Sequence, residues 1–136
     1  MANKLLDEIK VLVVDDMATL RESIVTLLRG VGFTKVSSAQ DGVKALLKIE
    51  DAYNEKEPYR LILSDINMPE CNGIELLKKL KADDRFKDIP VVMISTENEA
   101  ATVMDAIQAG AVNYILKPFT TETLKAKLNE IGKFLK

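Results

Sequence analysis

Short apolar runs alternate with helically spaced apolar residues along nearly the whole 136-residue chain, and this alternation limits the fold more than any other feature. Val11-Leu12-Val13-Val14 is continuous and branched, as in a strand buried on both faces of a parallel sheet. Leu20, Ile24, Leu27, Leu28 and Val31 follow at helical spacing, and Gly30 and Gly32 are expected to end that helix. Lys35 to Ala39 reads as a weaker second strand, and Val43, Leu46, Leu47 and Glu50 mark a helix apolar on one side. The charged stretch Asp51 to Arg60, which carries Pro58, reads as a solvated loop.

Leu61-Ile62-Leu63 gives the third strand, then a loop with Pro69 and Gly73, then a helix through Leu76, Leu77 and Leu80. Pro90 to Ile94 gives the fourth, with a helix through Val103 and Ile107 to Gly110. Tyr114-Ile115-Leu116 is the fifth, and Leu124, Leu128, Ile131 and Leu135 stripe the last helix, with Thr120 or Thr121 as its cap. Five strands joined by helical crossovers predict an α/β fold with an open parallel sheet. With no linker, repeat or low-complexity segment, residues 1–136 are expected to form a single domain.

Composition narrows the chemistry. Apolar residues make up 47% of the chain, enough for a packed core, and the net charge of −2 gives no footprint for nucleic acid. The sequence has neither an apolar run of membrane-spanning length nor a signal-peptide stretch at its start, so no membrane and a cytoplasmic location are expected. A single cysteine, Cys71, cannot close an internal disulfide. The chain has no histidine, which removes Ser-His-Asp and Cys-His catalysis and most zinc sites. Carboxylates, hydroxyls, lysines and an oxygen-loving metal remain.

Open α/β sheets place function at the carboxyl ends of their strands. There the first strand delivers Asp15 and Asp16, the third Ser64 and Asp65, the fourth Ser95 and Thr96, and the fifth Lys117 and Pro118. Each has an ordinary alternative: Asp15 and Asp16 could cap the first helix, Ser95-Thr96 could start the fourth, and Lys117 could be a solvated surface lysine. Asp65 is harder to set aside, since a carboxylate closing a buried strand needs a partner. Three converging carboxylates repel by on the order of 4 kcal/mol per close pair at an effective dielectric of about 20. Mg²⁺ or Mn²⁺ would relieve that repulsion and accept a phosphoryl oxygen. Asp65 could then act as a nucleophile, with Lys117 neutralising the transferring group and Ser95 bonding a phosphoryl oxygen.

The motifs Val13-Val14-Asp15-Asp16, Ser64-Asp65-Ile66-Asn67-Met68-Pro69 with Gly73, Ile94-Ser95-Thr96-Glu97, and Ala109-Gly110-Ala111 through Tyr114 to Lys117-Pro118-Phe119 resemble the bacterial response-regulator receiver family. The resemblance runs from about Lys10 to Leu135, and within the family it points to the CheY-like chemotaxis members. It implies a doubly wound, flavodoxin-like sheet of order 2-1-3-4-5 with helices on both faces. It implies phosphorylation of Asp65 by a histidine kinase on another protein. Asp16, Asp65 and the backbone carbonyl of Asn67 would hold Mg²⁺, with Asp15 reaching it through water. Ser95 would be a switch hydroxyl and Tyr114 a switch aromatic that turns from outside to inside on phosphorylation. Asn67 and Glu97 would set the phosphoryl lifetime. Lys127 would contact a target on the face of the fourth helix, fifth strand and fifth helix. The chain departs from the compact chemotaxis members at Cys71, in the longer 51–60 segment and in the acidic Glu97-Asn98-Glu99 start of the fourth helix.

The expected function is therefore a monomeric signalling module acting by protein contact, with the flagellar motor switch as the first target and a phosphorelay intermediate as the alternative. A metal-dependent phosphatase with an aspartyl nucleophile needs a carboxylate two residues beyond that nucleophile. Asn67 stands there, which argues against turnover of outside substrates. Gly30-Val31-Gly32 follows a helix instead of opening one and gives no dinucleotide site.

Overall fold

A computed structural model describes residues 7–68, 72–96, 100–130 and 132. In chain order the elements are β1 (Lys10–Val14), α1 (Ala18–Val31), β2 (Lys35–Ala39), α2 (Gly42–Asn54), β3 (Leu61–Asp65), α3 (Gly73–Lys81), β4 (Val91–Ser95), α4 (Ala100–Gln108), β5 (Asn113–Leu116) and α5 (Thr121–Glu130). The strands form one parallel sheet of order β2-β1-β3-β4-β5. The chain winds outward from β1 to β2, then returns past β1 to lay β3 on its other side. The carboxyl ends of β1 and β3 thus sit side by side where the winding reverses, the crevice in which such sheets bind ligands.

Side chains alternate between the two faces of a strand, so each apolar run feeds two cores. Leu12, Val14, Ile62, Val91 and Met93 pack with Ala45, Ile49 and Ala52 of α2, Leu76, Leu77 and Leu80 of α3 and Ala106 of α4. Val11, Val13, Leu61, Leu63, Val92, Ile94 and Ile115 pack with Ile24 and Leu28 of α1 and Leu124 and Leu128 of α5. This explains the unbroken apolar runs: β1, β3 and β4 have no solvent face to mark with polar residues.

Several boundaries differ from the sequence reading. Helix α2 runs on to Asn54, because Ala52 continues the Ala45–Ile49 stripe and is buried even though its neighbours are charged. Tyr59, also placed in a solvated loop by the sequence reading, is buried in the same core, with the Lys10 ammonium 4.9 Å from its ring centroid. Gly30 lies inside α1; Gly32, at φ 130°, closes it, donating to the Leu28 and Arg29 carbonyls at 3.2 and 3.1 Å. Gly73 opens α3 instead of lying in the preceding loop, and Asn72 and Glu75 form a reciprocal capping box there. Thr120 caps α5, accepting the Thr123 N–H at 3.1 Å. Pro69, Cys71, Glu97, Ile131 and Leu135 lie outside the described residues.

Candidate phosphoryl and metal site

Asp15, the first residue beyond β1, is fully buried and fixed on every side. Its N–H donates to the Ala39 carbonyl at 3.1 Å, which extends the β1–β2 ladder by one step. Its Oδ1 accepts the Met17 N–H at 2.9 Å, its Oδ2 accepts Lys117 Nζ at 2.9 Å, and its carbonyl accepts Arg21 Nη1 at 2.8 Å. The capping alternative is thereby narrowed: Met17 is the N-cap of α1 and caps nothing with its side chain, while Asp15 turns its second oxygen to Lys117.

Asp65 closes β3 and keeps only 9% of its exposure. Lys117, delivered by β5 across the sheet, places Nζ 3.5 Å from Asp65 Oδ2 while holding Asp15. Asp16 is exposed, and one carboxylate oxygen from each of Asp15, Asp16 and Asp65 lies within 4.8 Å of the others. Burial, and secondarily the Asp15 charge, push the Asp65 carboxyl above its usual range, against Lys117 and the backbone N–H groups of Ile66 and Asn67. Three clustered carboxylates against one lysine leave an excess of two negative charges, which a divalent cation would balance. The oxygen-only donor set suits a small hard cation.

The loop after β3 is fitted to Asp65 through glycine. A Cβ on Gly73 would lie 2.1 Å from the Asp65 carbonyl oxygen and 2.6 Å from Met93 Cε, so no other residue fits unless the backbone moves. The Gly73 N–H donates to the Ile66 carbonyl at 2.9 Å, and the Ser64 hydroxyl donates to the Asp65 carbonyl at 2.9 Å.

Ser95 ends β4 fully buried, one residue beyond the sheet partner of Asp65, and its carbonyl accepts the Lys117 N–H at 2.9 Å. Asn67 is exposed at the mouth of the site, and Glu97 lies outside the described residues. Tyr114 is 8% exposed and packs in the α2–α4 core. The sequence reading put this ring outside before phosphorylation. It is inside, because the Tyr114 side of β5 faces that core. Lys127, on α5 away from the site, pairs with Glu130 at 3.8 Å, and Glu130 also accepts Asn113 Nδ2 at 3.0 Å. Sequence reasoning found the carboxylates and Lys117 but missed Arg21, whose hydrogen bond is to backbone and leaves no pattern in side-chain type.

The sequence profile described as response regulator receiver domain matches residues 11–129. The chain belongs to the response regulator receiver family. It is 45% identical over 122 residues to chemotaxis protein CheY1 of Helicobacter pylori, an alignment covering 90% of this chain and 95% of that one. It is 42% identical to chemotaxis protein CheY-3 of Vibrio cholerae, covering 90% of each. Among solved structures, CheY4 of Vibrio cholerae superposes with a TM-score of 0.80 at 32% identity, covering 90% of this chain and 98% of that one. A CheX–CheY–BeF3–Mg²⁺ complex from Borrelia burgdorferi superposes with a TM-score of 0.82 at 27% identity, covering 94% and 90%. The receiver fold and the order 2-1-3-4-5 implied by the motifs are those of the sheet described above. Among the described residues no helix is long and apolar enough to cross a membrane.

Proposed function

We propose that this receiver is a single-domain, monomeric response regulator that accepts a phosphoryl group from a histidine kinase on Asp65 and signals by protein contact in chemotaxis. The observation that carries the reading is the Lys117 ammonium, held 2.9 Å from Asp15 and 3.5 Å from Asp65 beside the exposed Asp16. Asp16, Asp65 and the Asn67 carbonyl would hold Mg²⁺, with Asp15 reaching it through water. The bound ion supplies positive charge that offsets the carboxylates and the incoming phosphoryl oxygens.

Asp65 attacks as the carboxylate: an Oδ–P bond forms, the donor's N–P bond breaks, and the electron pair leaves with the donor's imidazole. Lys117 balances the added negative charge. The two backbone N–H groups at Ile66 and Asn67 hold Asp65 in one orientation for in-line attack. The domain catalyses only its own phosphorylation and dephosphorylation. Similarity to chemotaxis proteins favours a role in chemotaxis, and the motif resemblance implies a target on the α4–β5–α5 face, with the flagellar motor switch first.

Acetyl phosphate with Mg²⁺ tests the chemistry. Intact-mass spectrometry should find one added phosphoryl group on the native chain and none on Asp65→Asn. Full labelling of that variant would overturn the acceptor assignment.

A further inference from the structure

Arg21 of α1, six residues beyond Asp15, donates from Nη1 at 2.8 Å to the Asp15 carbonyl. That carbonyl belongs to the planar peptide unit joining Asp15 to Asp16, so fixing its oxygen fixes the direction in which both residues leave β1. Asp15 is held elsewhere too, by Ala39, Met17 and Lys117. Asp16 is exposed, and the corner that aims its carboxylate at Asp65 is secured from the α1 side by the guanidinium.

We infer that Arg21 is a positioning residue for the cation site, acting through the Asp15–Asp16 peptide to set the spacing of the Asp16 and Asp65 carboxylates. The inference rests on the reading of these carboxylates as a divalent-cation site. Two effects of Arg21 on a cation have opposite signs. As a positive charge beside the site it repels Mg²⁺, so removing it tightens binding. As a clamp on the corner it holds ligands in the geometry Mg²⁺ demands, so removing it weakens binding. A charge-assisted hydrogen bond to a carbonyl is stronger than a neutral one, and positioning partners of metal ligands matter by about tenfold or more. The clamp is therefore expected to dominate.

The test is Mg²⁺ titration of the full chain by calorimetry, with melting of the metal-free protein recorded for each variant. Arg21→Met, which keeps the stem and loses the donors, should weaken Mg²⁺ binding by about tenfold with a metal-free melting temperature near that of the native chain. Arg21→Lys, which keeps a cation and an N–H donor, should recover most of that loss. Tighter or unchanged Mg²⁺ binding by Arg21→Met overturns the inference. Should Arg21→Met fail to fold, Arg21→Ala, which also lacks charge and donor, decides by the same rule: weaker Mg²⁺ binding supports the clamp, and equal or tighter binding overturns it. Native protein that binds no Mg²⁺ overturns the cation site itself and the inference with it, whereas native binding that Arg21→Met leaves unchanged overturns the inference alone.

Discussion

At Asp65 burial and hydrogen bonding pull one carboxylate in opposite directions. Desolvation and the neighbouring Asp15 disfavour its ionised form, while Lys117 and two backbone N–H groups favour it, and the balance leaves its pKa raised. A carboxyl whose folded pKa lies above its ordinary 3.8 binds its proton more tightly folded than unfolded. Stability from the neutral form is therefore complete below that ordinary value and is lost as pH rises through the folded pKa. Asp65→Asn, neutral at every pH, should melt above the native chain at pH 7 without divalent cation. The gap should close as the buffer is taken down through the folded pKa and native Asp65 takes up its proton. Adding Mg²⁺ at pH 7 should raise the native melting temperature and leave that of Asp65→Asn almost unmoved, since a ligand stabilises only the state that binds it. Equal melting of the two proteins at pH 7 in chelator would contradict the ledger of forces at this carboxylate. Asp65 was legible in the sequence because a charged residue closing an apolar strand is physically conspicuous. Arg21 was not, because its partner is a carbonyl and every residue has one.

Among the elements, the junction of β3 and α3 has the least tolerance. Gly73 brings the first turn of α3 against the Asp65 carbonyl, and a methyl group there would overlap the Asp65–Ile66 backbone and the Met93 side chain. Gly73→Ala should destabilise the domain by about 1–3 kcal/mol in urea unfolding, as overpacking does, and should slow phosphorylation by displacing the nucleophile's own peptide. Gly30 is the counterpart: inside α1, with nothing within 4 Å of an added Cβ. Gly30→Ala should stabilise by about 0.5–1 kcal/mol through helix propensity alone. Matching unfolding midpoints for these two variants would refute the steric account. The same pair illustrates what the sequence could and could not disclose. Gly30 reads in the sequence as a helix end and Gly73 as part of a loop, yet one sits inside a helix and the other opens one at a close approach, and only three-dimensional neighbours separate them. The end of α2 was misplaced for a related reason: Asp51 and Asn54 lie on its solvent face, while Ala52 keeps the buried stripe and is too small to stand out.

Across the whole molecule, the site and the expected output face are joined through β4 and β5. Lys117 follows β5 directly, Tyr114 lies three residues earlier on that strand, and the Lys117 N–H is hydrogen-bonded to the Ser95 carbonyl. A phosphoryl group on Asp65 would draw on Lys117 and on the Ser95 hydroxyl together, and so load both strands at their carboxyl ends. Tyr114 is already buried against the α2–α4 core, so the modification is expected to hold an inward ring instead of driving it in. A ligand or modification shifts such an equilibrium only by the contacts that differ between its states. The phosphoryl contact to Ser95 is the proposed difference. Ser95→Ala should accept phosphoryl from acetyl phosphate at close to the native level while losing most of the phosphorylation-dependent gain in affinity for a motor-switch peptide. Tyr114→Phe, which keeps the buried ring, should retain that gain. Tyr114→Ala should lose it and unfold about 3–5 kcal/mol more easily, as large-to-small changes at buried aromatics do. Phosphorylation by mass spectrometry and peptide affinity by fluorescence anisotropy, taken on the same samples, decide the matter. A Ser95→Ala protein that is fully phosphorylated and gains native affinity would mean that the coupling bypasses β4, leaving Lys117 and β5 as the remaining route.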